Sequence, residues 1–277
     1  MTAKVVAIIQ ARMASSRLYG KVLLDIGGIP MLGRVLHRTE LAKMVNETVV
    51  ATSTDASDQR IADYCLAQGI TCIRGSHFDV LDRYHLAAQT SKADVVVRIT
   101  ADCPLIDPGL IDQALGLLAL EVEPRIDFAA TRLPPPWKRT FPIGQDVECC
   151  RMADLERAWN EAKAAEEREH VMPFLYKGVV LEPGGAGYRA GTSQSGMRIA
   201  VLDCEEDLGA QRWTVDTGED LEFARAVFSA FNGRSDFSWL EVRSLLESRP
   251  ELLEINAGVR HKTLGEVDAR ADGGKPA

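Results

Sequence analysis

The chain has 277 residues, of which 46% are apolar and 26% charged, with a formal net charge of −8. That length buries a full core in one large domain, or in a domain with an appendage, and the composition is that of an ordinary soluble globular protein. The acidic balance argues against a nucleic-acid partner, and the absence of an apolar run of about eighteen residues argues against a membrane span. The N-terminus enters its first strand without the layout of a signal peptide, so a cytoplasmic location is expected. Cys65, Cys72, Cys103, Cys149, Cys150 and Cys204 contain no CxxC pair. They read as reduced packing residues rather than a zinc site, the adjacent Cys149 and Cys150 facing opposite sides of a strand.

Residues 5–9 (VVAII) are a buried strand that runs into a polar loop carrying Arg12, Ser15, Ser16, Arg17, Gly20 and Lys21. Such a loop, early in an α/β chain, is where phosphates sit: hydroxyls and amides donate, arginines add forked contacts and a lysine adds a point charge. A solvated basic loop is the alternative, and the GxxxxGK[ST] pattern is absent. Pro30 then opens a helix through Leu32, Val35, Leu36 and Thr39. Residues 47–51 form the second strand, ending at Thr52, Ser53, Thr54 and Asp55. That cluster is either a capping turn or a ligand contact. A third strand at 70–73 leads to Arg74, placed to reach a base or its pocket wall, and a helix follows Asp79. Asp82 and Arg83 on that helix read equally well as a structural ion pair.

Residues 94–100 (DVVVRIT) have the β-branched run of a strand buried on both faces. At its end Asp102 faces the cationic loop, either as a turn residue or as a ligand for a magnesium ion bridging phosphates. A helix begins at Pro108. The alternation of strand and helix to about residue 130 predicts an α/β fold with a mostly parallel sheet, right-handed crossovers and helices on both faces. Four prolines between 133 and 150 break that rhythm, and a strand returns near 146–150. Arg139, Gln145, Asp146 and Glu148 there are candidates to face an acidic or hydroxyl-rich substrate. Helices are expected over 154–165 and 167–176, divided near Glu166, with Arg168, Glu169 and His170 as a charged patch. Residues 182–196 read as a mobile Gly/Ser-rich loop, and 197–202 and 211–215 as strands. Thr217 caps a helix over 221–231, leaving Asp216 free to point into the cleft. A helix around 238–247 precedes a frayed polar tail.

Several ordered blocks carry a resemblance. QARMASSRLYGKVLLDIGGIPML resembles the nucleotide-binding signature of the CMP-sugar synthetases, the acylneuraminate and deoxy-manno-octulosonate cytidylyltransferases. Within them it is most similar to the spore coat polysaccharide biosynthesis protein F-like branch. The likeness continues through ATSTDASDQRIADYC, IRGSHFDVLDRY, VVVRITADCPLIDPGLID, RTFPIGQDVE, REHVMPF and RWTVDTGEDL, covering residues 4–231. Tyr19 and Ala14 depart from the branch, which has LPGK and a glycine at those places.

The resemblance implies a Rossmann-like three-layer nucleotidyltransferase fold over 1–248, with a substrate and dimerisation excursion at 131–200 and a tail at 249–277. It implies a Mg2+-dependent transfer from CTP to an acidic or keto-type sugar, releasing pyrophosphate, in a homodimer. Gln10, Ala11, Arg12, Ser15, Ser16, Arg17, Lys21, Thr52, Ser53 and Arg74 would bind nucleotide, with Arg12, Arg17 and Lys21 catalytic. Arg139, Gln145, Asp146, Glu148, Arg168, Glu169 and His170 would bind the sugar, and Asp102 and Asp216 the metal. A glycosyltransferase that consumes a nucleotide sugar is the first rival, weakened because Cys103 and Pro104 follow Asp102 where a DxD pair is often found. An inactive relative acting as a binding subunit is the second, opposed by the retained aspartates and loop cations.

Overall fold

The structure, a computed structural model, describes residues 3–260. Strand β1 (Val5–Gln10) is followed by a small hairpin, β2 (Asp25–Ile26) and β3 (Ile29–Pro30), which leads into α1 (Met31–Glu40). The alternation continues through β4 (Glu47–Ser53), α2 (Gln59–Ala67), β5 (Cys72–Gly75), α3 (Val80–Thr90), β6 (Val95–Thr100) and α4 (Pro108–Leu118). β7 (Phe128–Ala130) and β8 (Glu148–Arg151) flank the proline-rich segment, before α5 (Met152–Glu161), α6 (Ala165–His170) and α7 (Pro173–Tyr176). β9 (Glu182–Gly185), β10 (Tyr188–Thr192) and β11 (Arg198–Leu202) precede α8 (Gly218–Ala230), α9 (Trp239–Ser248) and α10 (Glu251–Glu254).

Nine strands form one sheet in the order β5-β4-β1-β6-β8-β7-β11-β10-β9. β5, β4, β1 and β6 run parallel, whereas β8 lies antiparallel to both β6 and β7. The two-residue period of each strand divides the core into two layers. Val5, Ala7 and Ile9 of β1 pack under α1, α2, α4, α8 and α9, while Val6 and Ile8 pack under α3, α5 and α7. Cys149 and Cys150 fall on opposite layers, and the six cysteines are free thiols. The result is the expected three-layer α/β fold with a mostly parallel sheet. Among the described residues no helix is long and apolar enough to cross a membrane.

Parallel pairing in register places the carboxyl ends of β1, β4 and β6 side by side, Gln10 lying opposite both Ala51 and Thr100. The loops that leave these three strands therefore share one edge of the sheet, the usual ligand position in open α/β sheets. Side-chain caps start the helices that follow: Asp79 accepts from Asp82 N–H and Asp107 from Leu110 N–H. Asp82 and Arg83 turn to other partners, the Trp159 indole and the Ser76 carbonyl.

Several expected elements differ. The third strand is Cys72–Gly75 rather than 70–73, which puts Arg74 within it. The predicted mobile stretch at 182–196 is largely a hairpin, because Gly184 and Gly185 leave room for the Tyr188 ring that lies across them. Residues 211–215 form no ladder. They cross the strand ends, with Trp213 N–H bonded to Ile143 O and Val215 N–H to Asp102 O. Helix 167–176 breaks after His170, and the earlier one ends at Glu161. The tail expected from 249 begins with α10, whose Leu252 is buried, and continues to Asn256, buried to 4% exposure. Residues 261–277 lie outside the described residues.

Gly191 on β10 sits so close to a neighbouring segment that a Cβ there would lie 2.0 Å from Val180 O. Gly191→Ala should lower stability by about 2 kcal/mol or more, as overpacking against backbone does. Thermal unfolding of the variant measures this, and an unchanged midpoint would show that the hairpin yields freely.

Candidate active site

Lys21 follows Gly20, whose φ of 69° is left-handed and turns the chain inward at the loop's end. The Lys21 side chain is 9% exposed, and its ammonium donates to Asp102 Oδ2 at 2.8 Å, Asp216 Oδ1 at 2.7 Å and Val215 O at 2.8 Å. Burial alone would lower its pKa, but the two carboxylates outweigh burial and hold it above the ordinary lysine value. Three segments far apart in sequence thus meet on one nitrogen.

Asp216 carries a second layer of charge. Its other oxygen meets Arg17 at 2.7 Å and also Arg212. Although burial opposes ionisation, Lys21, Arg17 and Arg212 hold its carboxyl well below the usual range. Arg212 in turn pairs with fully buried Asp220 at 2.8 Å. Asp220 also accepts from the N–H groups of Asp216 and Thr217, and from Asn256 at 2.9 Å. Sequence reading missed Arg212, Asp220 and Asn256. Nothing in spacing joins Asp220 to Asn256.

On the neighbouring side, Ala11 N–H extends the β1–β4 pairing by bonding Ala51 O at 3.1 Å, and Gln10 Oε1 accepts from Arg98 at 3.4 Å. Ser15 Oγ accepts from Leu18 N–H within the loop, while Arg12 and Ser16 are exposed. Thr52 is fully buried and its hydroxyl has no hydrogen-bond partner. Ser53 Oγ is bonded to Asp58, and Arg74 donates to Ser53 O and Asp55 O at 2.9 Å each. Arg74 therefore clamps the turn after β4 instead of extending freely toward a base, because its position inside β5 aims it across the strand ends.

The predicted sugar-binding set divides. Gln145 is fully buried, its amide bonded to Asp107 N–H and Leu105 O, so it staples two loops and cannot face a substrate. Arg168 is tied to Asp79 and to Trp159 O. Asp146 pairs with Arg139 and, at 3.3 Å, with Arg132, while Glu148 pairs with Arg98. Glu169 is half-buried beside His170 on α6. His170 lies in this group, with a buried Nε2 that has no hydrogen-bond partner. Burial first, then Arg98, Arg132 and Arg12, push its pKa down to about 4. α6 stops there in a γ-turn of the rare positive-φ kind: Val171 has φ 72° and ψ −56°, and Met172 N–H donates to His170 O at 2.9 Å. Arg98 and Arg132 went unnoticed in sequence because both sit next to strand-forming apolar runs.

Asp102 and Asp216 offer hard oxygen donors on either side of one cation, a set that suits a magnesium ion. Such an ion commonly takes one or two protein carboxylates and completes its shell with phosphate oxygens and water. Among the described residues no group of three metal-ligating side chains occurs.

The chain is similar to known cytidylyltransferases. Residues 6–181 match the model of a family described as cytidylyltransferase. A 3-deoxy-manno-octulosonate cytidylyltransferase of Rhodopseudomonas palustris (strain HaA2) is 32% identical, over 83% of this chain and 100% of that protein. The spore coat polysaccharide biosynthesis protein SpsF of Bacillus subtilis (strain 168) is 29% identical, over 88% of this chain and 94% of SpsF. Among solved structures, a cytidylyltransferase from Leptospira borgpetersenii serovar Hardjo-bovis (strain JB197) superposes with a TM-score of 0.79 at 30% identity. That match covers 94% of this chain and 100% of the other.

The state of His170 is testable through stability. A histidine whose pKa falls on folding stabilises fully above its unfolded value of about 6.5, and that contribution is lost as pH drops toward the folded value. Between about pH 6.5 and about pH 4, wild type should therefore lose more thermal stability than His170→Gln. Parallel curves for the two proteins over that window would show that His170 titrates freely.

Proposed function

The chain belongs to the cytidylyltransferase family, a family of CTP-dependent nucleotidyltransferases, and from that premise we propose the reaction it performs. CTP is joined to an acidic or keto-type sugar to give a CMP-sugar and pyrophosphate, with magnesium, for surface polysaccharide or glycan synthesis. The observation that carries this reading is the Lys21 ammonium held between Asp102 and Asp216 at the mouth of the cationic loop. The octulosonate named for one relative and the polysaccharide biosynthesis named for the other support the sugar class.

In this reading the loop amides, Gln10, Ala11, Ser15 and Ser16 cradle the triphosphate, and Thr52, Ser53 and the turn clamped by Arg74 line the base. Arg12, Arg17 and Lys21 neutralise charge on the phosphates and on the departing pyrophosphate. Magnesium held by Asp102 and Asp216 would supply further charge neutralisation at the α-phosphate. The sugar hydroxyl attacks the α-phosphorus in line, so the protein's contribution is positioning and electrostatic stabilisation. The sugar lies on the α6 side, near Arg139, Asp146, Glu148, Glu169 and His170, with Arg98 and Arg132 completing the wall. We place the nucleotidyltransferase unit at 1–248, extended through α10 to Asn256 by the bonds of Asn256 to Arg212 and Asp220, and a homodimer contact in the 131–200 excursion.

A thermal-shift screen of ATP, GTP, UTP and CTP, each with and without magnesium, tests the nucleotide. A selective, metal-dependent shift with CTP is expected, and equal shifts with all four would overturn the cytosine assignment. Lys21→Ala and Asp102→Asn should each remove about 10²-fold or more of pyrophosphate-releasing activity. Lys21→Ala should also lower the thermal midpoint, since losing one partner of a buried ion pair costs about 3–5 kcal/mol. Near wild-type turnover in either variant would defeat their assignment.

A further inference from the structure

The loop that would take the triphosphate and the turn that would take the base leave two different strands, β1 and β4. Each is fixed internally. The loop closes on itself at Met13, whose carbonyl accepts from Gly20 N–H at 2.8 Å. The turn is fixed by Arg74 on Ser53 O and Asp55 O, and by Asp55, whose Oδ1 accepts from Ser57 N–H at 2.8 Å.

Asp58 joins the two. It lies at the end of the short 56–58 turn that leads into α2 and is 1% exposed. One carboxylate oxygen, Oδ1, accepts from Met13 N–H at 2.7 Å, at the neck of the loop. The other, Oδ2, accepts from Ser53 N–H at 3.3 Å and Ser53 Oγ at 2.5 Å, at the end of β4. Met13 is itself 1% exposed, so both ends of this strut sit in packed surroundings.

We infer that Asp58 is a positioning residue, setting the distance between the triphosphate loop and the base-binding turn so that one nucleotide engages both at once. The inference rests on the proposed nucleotide site and goes beyond it by assigning the coupling between its two halves to one buried carboxylate. Its physical content is that of any linked ligand. A molecule holding two groups binds more tightly than either part when the two subsites are spaced to match it, and loses that advantage when the spacing is free to vary. An aspartate serves because two oxygens on one short, rigid side chain accept from both segments. The amide of Asp58→Asn keeps the shape, but it turns an N–H group toward the donors of one of the two segments.

The experiment is calorimetric titration of wild type and Asp58→Asn with cytidine, with inorganic tripolyphosphate and with CTP, each with magnesium. For the variant we expect cytidine and tripolyphosphate to bind within about threefold of wild type, and CTP to bind about tenfold or more weakly. Equal weakening of all three ligands, or unchanged CTP affinity, overturns the inference and leaves the nucleotide site standing. Wild type that binds no CTP overturns the proposed function and the inference together. If Asp58→Asn does not fold, Asp58→Glu, which keeps both carboxylate oxygens but lengthens the strut by one methylene, should show the same selective loss for CTP. Proportionate loss for all three ligands in that variant counts against the inference equally.

Discussion

The architecture of the site depends on a single ammonium group. Lys21 reaches it from the loop after β1, Asp102 from the loop after β6, and Val215 and Asp216 from the segment that crosses the strand ends before α8. The ammonium is buried, so its charge carries a desolvation cost that its partners must offset. The geometry meets that condition, since each of the three ammonium hydrogens has an oxygen acceptor within 2.8 Å. A cation placed this way also fixes where the backbone of three loops runs.

From there charge alternates outward: Lys21, Asp216, Arg212, Asp220, and finally the neutral amide of Asn256. Each member satisfies the previous one and orients the next, so the network rigidifies as a unit rather than as separate pairs. The consequence for the fold is that α10 and Asn256 just after it belong to the framework of the site, although they lie far from it in sequence. Asn256 donates to both Arg212 O and Asp220, which closes the network against the body of the protein.

The fold was legible where local pattern and tertiary role coincide. The β-branched run at 94–100 gave β6, and the capping sequence at Thr217 gave α8, because burial on both faces and a capped first turn leave direct marks in sequence. Lys21, Asp102 and Asp216 were legible as chemistry at strand ends, and the structure brings them together. Gln145 was not, because a buried amide stapling two backbones has the same residue type as one facing a sugar. Arg74, Arg168 and Asp58 show the same limit. Whether a polar side chain faces a ligand or a neighbouring backbone group is set by the packing of elements that spacing alone does not describe. The hairpin at 182–192 was hidden for another reason: its glycines make space for Tyr188, a contact between side chain and backbone that composition reads as looseness.

Val171 has a consequence of its own. It is fully buried in the α3–α7 layer, yet its backbone adopts a positive-φ conformation that branched residues strongly disfavour. The two demands at this position oppose each other. Glycine would relax the backbone but leave a void, asparagine would tolerate the torsion but bury an amide, and any branched replacement keeps the strain. Residue 171 is therefore a place where improvement by single substitution stalls, and the orientation of His170 beside it is protected by that deadlock.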